Sequence, residues 1–463
     1  MKCGTGASGA GRDGGGTLSK GKRGFILSWT GSVGIVLLLL VMLLAPLPLL
    51  SITLEEAVKR AFEVSFTIKQ QKEIIKSSEF SYISTIDPYL PKIDIQSSYI
   101  RSLNGQTSAG QSVVSVSTLG NFSNVFAATN IYTFTGTISY RLFDGGERFA
   151  RRRQAYSLMG REGELLKNVR VEVRYNVKSA FYTALGNKHV VNTRKEALAT
   201  AEKVYGLTRG RYDAGVAKKS EVLQAEVRMT TARIDLLTSV KQYERSLEEL
   251  KSFLLYDPKD QQDVEGPLGE PGYRADFQTL IERAVAIRPD VTAQMKEIER
   301  LQMVYKERTS AWFPRIDAQL QQARTDTQFF PDGRQDAFIL NFSYALFDGV
   351  GRYYNMQGAS SDIAAARFRL GEIKRNAGIE IVRAYKDYEL SCDNVRLYNE
   401  LVRQANSNYE QAFGEYRVGK GDILALLQAE REFASARENY ILAVARANTT
   451  LTFLERVAYL EGD

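Results

Sequence analysis

A chain of 463 residues with 61 Lys and Arg against 54 Asp and Glu carries +7, yet Lys2, Arg12, Lys20, Lys22 and Arg23 against Asp13 place +4 of it before residue 24. The remaining 56 basic and 53 acidic residues are nearly balanced, which excludes a basic stripe for nucleic acid on the body of the chain. Two cysteines, Cys3 and Cys392, and one histidine, His189, exclude a disulfide framework or a His/Cys metal cluster and leave acid-base catalysis little to build on.

In chain order, the first segment has a basic head (Lys20, Lys22, Arg23) and an uncharged apolar core, Ile35 to Leu44. It reads as an export signal. A retained membrane anchor is the competing reading, because the whole apolar run is long enough to span a bilayer. The GxxxxGK at Gly16 to Lys22 continues with Arg23 where a phosphate loop needs Ser or Thr, and is a coincidence. At Thr53, with Glu56 three residues on, a capping box opens a helix whose Leu54, Ala57, Val58, Ala61 and Phe62 keep helical spacing.

The period then changes to two. Ile93 to Arg101 predicts a strand with Asp94, Gln96 and Ser98 on one face. After a long Ser/Gly/Thr/Asn-rich connection, Ser102 to Thr129, a second strand alternates Tyr132, Phe134, Gly136, Ile138, Tyr140 and Leu142 with Thr133, Thr135, Thr137, Ser139 and Arg141. From Glu147 to Asp257 the chain is proline-poor and rich in Ala, Leu, Glu, Lys, Arg and Gln. That composition predicts very long helices interrupted only by a glycine-capped turn at Tyr212-Asp-Ala-Gly215. The Pro/Gly-bearing stretch Asp257 to Tyr273 predicts an irregular linker belt. A further helix begins near Phe277 and runs to Arg288-Pro289-Asp290. Strands follow at Ile316 to Ala323 and over Phe338, Leu340, Phe342, Tyr344 and Leu346, then a second helical stretch with a turn at Tyr416-Arg-Val-Gly419.

Laid side by side, the halves repeat. Tyr140-Arg-Leu-Phe143-Asp144-Gly145 matches Tyr344-Ala-Leu-Phe347-Asp348-Gly349 at an offset of 344 − 140 = 204, and the same offset carries Gly215 onto Gly419 and Gln224-Ala225-Glu226 onto Gln428-Ala429-Glu430. The organisation is therefore an amino-terminal extension (1–51), a first repeat (52–256), a linker belt (257–273) and a second repeat (274–463). Each repeat is a β-hairpin set among long helices.

Aromatics on one strand face and hydroxyls, amides or charge on the other suit a barrel with lipid outside and water inside. A soluble sheet packed on helices shows the same alternation. Strand lengths near the roughly 9–11 residues of a spanning strand favour the membrane, and Tyr132, Phe134, Tyr140, Phe338, Phe342 and Tyr344 are then the lipid-facing aromatics. Four strands cannot close a barrel in lipid, so several chains must each contribute four. His189 lies in a helical run without ligand-spaced partners and reads as an ordinary helix residue.

The residues Tyr212 to Glu226, Tyr416 to Glu430, Arg288-Pro289-Asp290 and the twin Phe-Asp-Gly strand ends resemble the TolC-like outer membrane efflux proteins of Gram-negative bacteria, over about residues 52 to 460. The resemblance implies an α+β membrane protein and no enzyme. Its long α-helical barrel would continue an outer-membrane β-barrel closed by oligomerisation as a homotrimer, reaching from the outer membrane into the periplasm. The implied function is a passive exit duct for a tripartite efflux pump or a type I secretion system, working with a periplasmic adaptor protein and an inner-membrane pump and needing no cofactor. A membrane-anchored periplasmic coiled-coil scaffold or pump adaptor is the alternative. Carried over by residue, Gly215 and Gly419 are the adaptor-contact tips. Glu221 and Tyr416 fall on a closed-gate network whose arginine position is Gly421 here, with Lys420 beside it as a substitute. Ala425 and Gln428 stand where the family's best-known member has an acidic constriction.

Overall fold

The computed structural model describes residues 51–101, 130–257, 259–260, 262–272, 277–326 and 328–460. The segment read as an export signal and the connection 102–129 lie outside them. In chain order the elements are β1 (Ser51–Ile52), α1 (Leu54–Val64), α2 (Phe66–Ser84), β2 (Lys92–Arg101), β3 (Asn130–Phe143), α3 (Glu147–Asp213) and α4 (Lys219–Leu254). They continue with β4 (Asp263–Val264), α5 (Phe277–Ile287), α6 (Pro289–Ser310), β5 (Arg315–Asp326), β6 (Arg334–Ser343), α7 (Gly351–Arg417) and α8 (Ile423–Ala458). The 204-residue offset carries both ends of α3 onto those of α7, 147 to 351 and 213 to 417, and both ends of α4 onto α8, 219 to 423 and 254 to 458. At 67 residues each, α3 and α7 run about 100 Å.

Local chemistry sets the starts and breaks. The Thr53 hydroxyl accepts the Glu56 amide and Glu56 accepts the Thr53 amide at 3.2 Å, the predicted capping box. A break not foreseen follows at Ser65, whose hydroxyl accepts the Ile68 amide and caps α2. Its counterpart between α5 and α6 is Arg288-Pro289, where proline at the first helical position has no orphan N–H to satisfy. At the head of α3, the buried Asp144 carboxylate accepts the Gly146 and Arg148 amides at 3.0 Å and pairs with the Arg148 guanidinium at 2.8 Å. The first Phe-Asp-Gly motif is thus a helix cap.

The two repeats pack together through α3, which lies against α6 and α8, and one buried cluster spans them, Val204 of α3 with Tyr416, Ile423, Leu426 and Leu427. In the half of the helical layer next to the sheet, neighbours run α2–α3–α6–α7; in the other half they run α4–α3–α8–α7. The long helices pass through both. Small residues make the seams: Ala180, Ala184, Ala197 and Ala201 of α3 and Ala443, Ala445 and Ala447 of α8 are buried. A Cβ on Gly186 would lie 2.6 Å from that of Ala445, so only glycine permits this approach. Phe181, Leu185, Leu250 and Leu254 fill the core beneath the belt, each worth about 2 kcal/mol of burial.

The belt is less irregular than expected. Ser51 and Ile52 pair in parallel with Asp263 and Val264, and Ile52 and Val264 bury into the Phe181 cluster. Lys188 Nζ donates to Asp263 at 2.9 Å and to the Val264 carbonyl at 2.6 Å, and the Tyr243 hydroxyl also donates to Asp263. Burial alone would push the Asp263 carboxyl up, but the bonds from Lys188 and Tyr243 bring it below its usual range.

The four remaining strands form one antiparallel sheet in the order β2-β3-β5-β6. The predicted final strand is shortened. β6 ends at Ser343, paired with Arg315, because the next partner would be Pro314, which has no N–H for the ladder. Tyr344 and Leu346 therefore follow the strand instead of belonging to it.

Candidate functional site

At the far end of each long helix the chain reverses through the same turn. Gly215 N–H donates to Tyr212 O and Val216 N–H to Arg211 O; Gly419 N–H donates to Tyr416 O and Lys420 N–H to Glu415 O. These are Schellman caps, and they need a left-handed residue, supplied by Gly215 at φ 77° and Gly419 at φ 79°. Both glycines keep clear space around the missing Cβ, with only Arg211 Nη2 at 3.6 Å from that of Gly419. Beside them Val216 and Val418 are two-thirds exposed, so each tip presents an apolar residue to its surroundings.

Between the tips lies a polar cluster. Tyr416 is 1% exposed, and its hydroxyl lies 3.2 Å from both Thr208 Oγ1 on α3 and Glu221 Oε2 on α4. The Thr208 proton is committed to the Val204 carbonyl at 2.9 Å, which leaves the phenol as the donor. Burial, opposed by Thr208 and reinforced by Glu221, holds the Tyr416 phenol above its ordinary value, so it remains protonated. Glu221 is itself held at the start of α4, where its other oxygen accepts the Lys218 amide at 3.3 Å. The sequence-derived pair Glu221 and Tyr416 is therefore in direct contact.

The cation of this cluster is Arg211. Its guanidinium donates to the Tyr416 carbonyl and sits 4.6 Å over the Tyr416 ring, while its buried Nε finds no acceptor. Lys420 is exposed, and its side chain makes no hydrogen bond or ion pair among the described residues. Position 421 cannot hold an arginine in this backbone, since a Cβ there would lie 2.9 Å from Tyr416 N and 3.0 Å from Glu415 Cβ. Gln428 and Ala425 are exposed on α8, and Gln428 bonds Glu432 one turn on at 2.9 Å. Sequence reasoning missed Thr208 and Arg211. The one signal was that the 204-residue offset sets Arg211 against Glu415, a charge reversal between the copies.

Deeper in the helical layer, Arg228 on α4 and Glu430 on α8 form a buried two-pronged ion pair, one contact being 2.8 Å. Burial pushes the Glu430 carboxyl up against the pull of Arg228. Arg194 of α3 reaches Asp235 and Glu438, tying α3 to α4 and α8.

The sheet sorts its side chains by register. Residues directly opposite one another share a face, so the rows Ile93/Ile138/Leu320/Phe338, Tyr140/Ala318/Leu340 and Phe143/Ile316/Phe342 lie together, as do Tyr99 and Tyr132. Phe134 belongs to the same face. The opposite face carries Asp94, Gln96 and Ser98, Thr133, Thr135, Thr137 and Ser139, and Gln319 and Gln321. Arg141 and Asp317 pair across it at 2.9 Å. Toward the hairpin end the apolar face turns polar on β5 and β6, at Gln322, Arg324, Arg334 and Asp336. Tyr132, Phe329 and Phe330 stack edge to face at that end.

Among the described residues two kinds of edge have no partner. In the sheet they are β2 and β6. In the helical layer they are α4, exposing Leu223, Val227, Ile234 and Leu237, and α7, exposing Leu390, Leu397 and Leu401. Both rows follow the three- and four-residue steps of a coiled-coil seam.

The family model described as outer membrane efflux protein matches residues 70–254 and 280–458. Protein CyaE of Bordetella pertussis is 23% identical over 319 residues, 68% of this chain and 67% of that protein. Among solved structures, a membrane protein from Pseudomonas aeruginosa superposes with a TM-score of 0.74 at 18% identity, covering 88% of this chain and 93% of that one. The open state of the Neisseria gonorrhoeae MtrE outer membrane channel superposes with a TM-score of 0.72 at 16% identity, covering 88% of each chain.

Proposed function

The chain belongs to the outer membrane efflux protein family, and we propose that it assembles as a homotrimer whose twelve strands close one barrel around an aqueous lumen. As a member of that family it is an outer-membrane exit duct. The observation that carries the trimer is the matching of open edges. The first repeat ends the sheet at β2 and the helical layer at α4, the second ends them at β6 and α7. Head-to-tail contact of one chain's first-repeat edge with the next chain's second-repeat edge satisfies both layers at once, and such a ring closes without leaving an edge. β2 and β6 run in opposite directions, so the new ladder continues the antiparallel order. Eight strands give a barrel about filled by its own side chains. Twelve leave a passage.

In this reading the apolar sheet face with Tyr132, Phe134, Tyr140, Phe338 and Phe342 meets outer-membrane lipid, and Tyr344 sits at its periplasmic rim. The duct is passive, transport energy coming from an inner-membrane pump. Gly215 and Gly419, with Val216 and Val418, form the surface that a periplasmic adaptor grips. The Tyr416–Glu221 contact holds the tips closed. The scaffold or adaptor alternative gives way to family membership.

Mass measurement of the detergent-solubilised protein tests the assembly, and a detergent-independent soluble monomer would sink it. For the tips, Gly215→Leu with Gly419→Leu should leave the assembly intact and abolish export. Normal export in that variant would remove the adaptor contact from these glycines.

A further inference from the structure

We infer that Arg211 is the positioning residue of the latch: its cation, brought from the first repeat, pins Tyr416 of the second so that the phenol meets Glu221. The inference rests on the gate reading of Glu221 and Tyr416 above and names a residue which that reading lacks.

Arg211 uses Tyr416 twice. It donates to the backbone carbonyl and lies against the ring face at 4.6 Å, so it fixes both ends of one residue without touching the hydroxyl. The Tyr416 carbonyl already accepts the Gly419 amide at 3.1 Å. Arg211 therefore also braces the turn that carries the second tip. Since Thr208 and Arg211 belong to α3 and Glu221 to α4, the polar side chains that bond Tyr416 among the described residues come from the first repeat of the same chain. The latch joins the two tips of one protomer.

The guanidinium is not fully satisfied there. Its Nε–H is buried with no acceptor, a state that costs free energy and that a swing toward water would relieve. Arg211 lies in the last turn of α3, next to the exposed Tyr212 and Asp213, so water is within a side chain's reach. A bolt that holds two tips through an incompletely paired cation is poised to release when an external contact offers the missing acceptor, as a two-state element requires. Neither of the two positions suggested by the resemblance serves: Gly421 has no room for a side chain, and Lys420 is exposed with no hydrogen bond or ion pair among the described residues.

Single-channel conductance of the full-length protein in planar bilayers tests this. Arg211→Gln keeps a donor for the carbonyl but removes the charge, and should raise the open fraction about tenfold, equivalent to about 1.4 kcal/mol over the whole assembly. Arg211→Lys, which keeps charge and donor, should stay closed like the parent. Both should retain assembly size and melting temperature. If Arg211→Gln is as closed as the parent while Tyr416→Phe and Glu221→Gln leak, the gate stands and the role of Arg211 falls. If all three stay closed, the gate reading falls and takes this inference with it. Leakage accompanied by loss of assembly, or a Lys variant as leaky as the Gln variant, would also overturn it.

Discussion

The two helical tips share a backbone and divide the work. Both reverse through a Schellman cap on a left-handed glycine at an offset of 204 residues, yet one supplies Thr208, Arg211 and Glu221 and the other only Tyr416. The tyrosine is common to both copies, as Tyr212 and Tyr416, but Thr208, Arg211 and Glu221 have Ala412, Glu415 and Ala425 as their equivalents, so duplication sets the turn and divergence confines the contact to one of the two tyrosines. The same holds deeper down. Glu226 and Glu430 are equivalent by offset, but Glu226 is exposed while Glu430 is buried against Arg228, whose own equivalent is the exposed Glu432.

The comparison can be broken hardest at that ion pair. Arg228→Leu or Glu430→Leu alone leaves a buried charge uncompensated and should cost about 3–5 kcal/mol, with the double apolar replacement recovering most of it. Thermal melting in detergent reads this, and a single variant as stable as the parent would show the pair to be hydrated. Next come the strand-end glycines. Gly145 at φ 66° would set a Cβ 2.7 Å from Phe313 Cβ and Ser310 O, whereas Gly349 at φ 86° has open space. Gly145→Ala should therefore lose about 2–3 kcal/mol and Gly349→Ala about 1. Equal losses would mean that strain alone decides.

The aspartates beside them should separate similarly. Asp144→Ala removes a buried cap and should cost about 1–2 kcal/mol. Asp348, half exposed and paired only with Arg352 at 2.7 Å, should cost less than about 0.5. Melting of the two variants checks the asymmetry. The smallest effect belongs to the belt, which only one copy owns. Because the folded Asp263 carboxyl is held below its ordinary value, its contribution is present above the unfolded pKa near 4. It is lost as pH falls through the lower folded value. Asp263→Asn should flatten that part of the acid stability profile, and an unchanged profile would assign acid sensitivity to other carboxylates.

Much of the architecture was legible because it is local. Alternation placed five of the six chosen strand aromatics on strands and, through the register, on one face; glycine spacing located both tips; the capping box located the first helix. Tyr344 was misplaced because a period-two pattern does not reveal that Pro314 ends the neighbouring ladder. Ser65 escaped notice as a cap because the apolar spacing runs on past it. At the tip, Glu221 and Tyr416 were named through resemblance. Lys420 was nominated as the cation for its nearness in sequence to position 421, whereas the residue in contact lies 205 positions before Tyr416.

Periodicity, caps and duplication are written into neighbouring residues, so the sequence by itself determined which segments are helix or strand, which strand face is apolar, and that one unit occurs twice. The partners across the seams were decided only in three dimensions. Placing α3 between α4 and α8 brings Arg211 to Tyr416, and the span from α4 to α8 joins Arg228 to Glu430. Pairing β1 with the belt buries Ile52 beside Val264. Such contacts depend on helix rotation and strand order, which the packing of the whole chain settles and which no single stretch of sequence encodes.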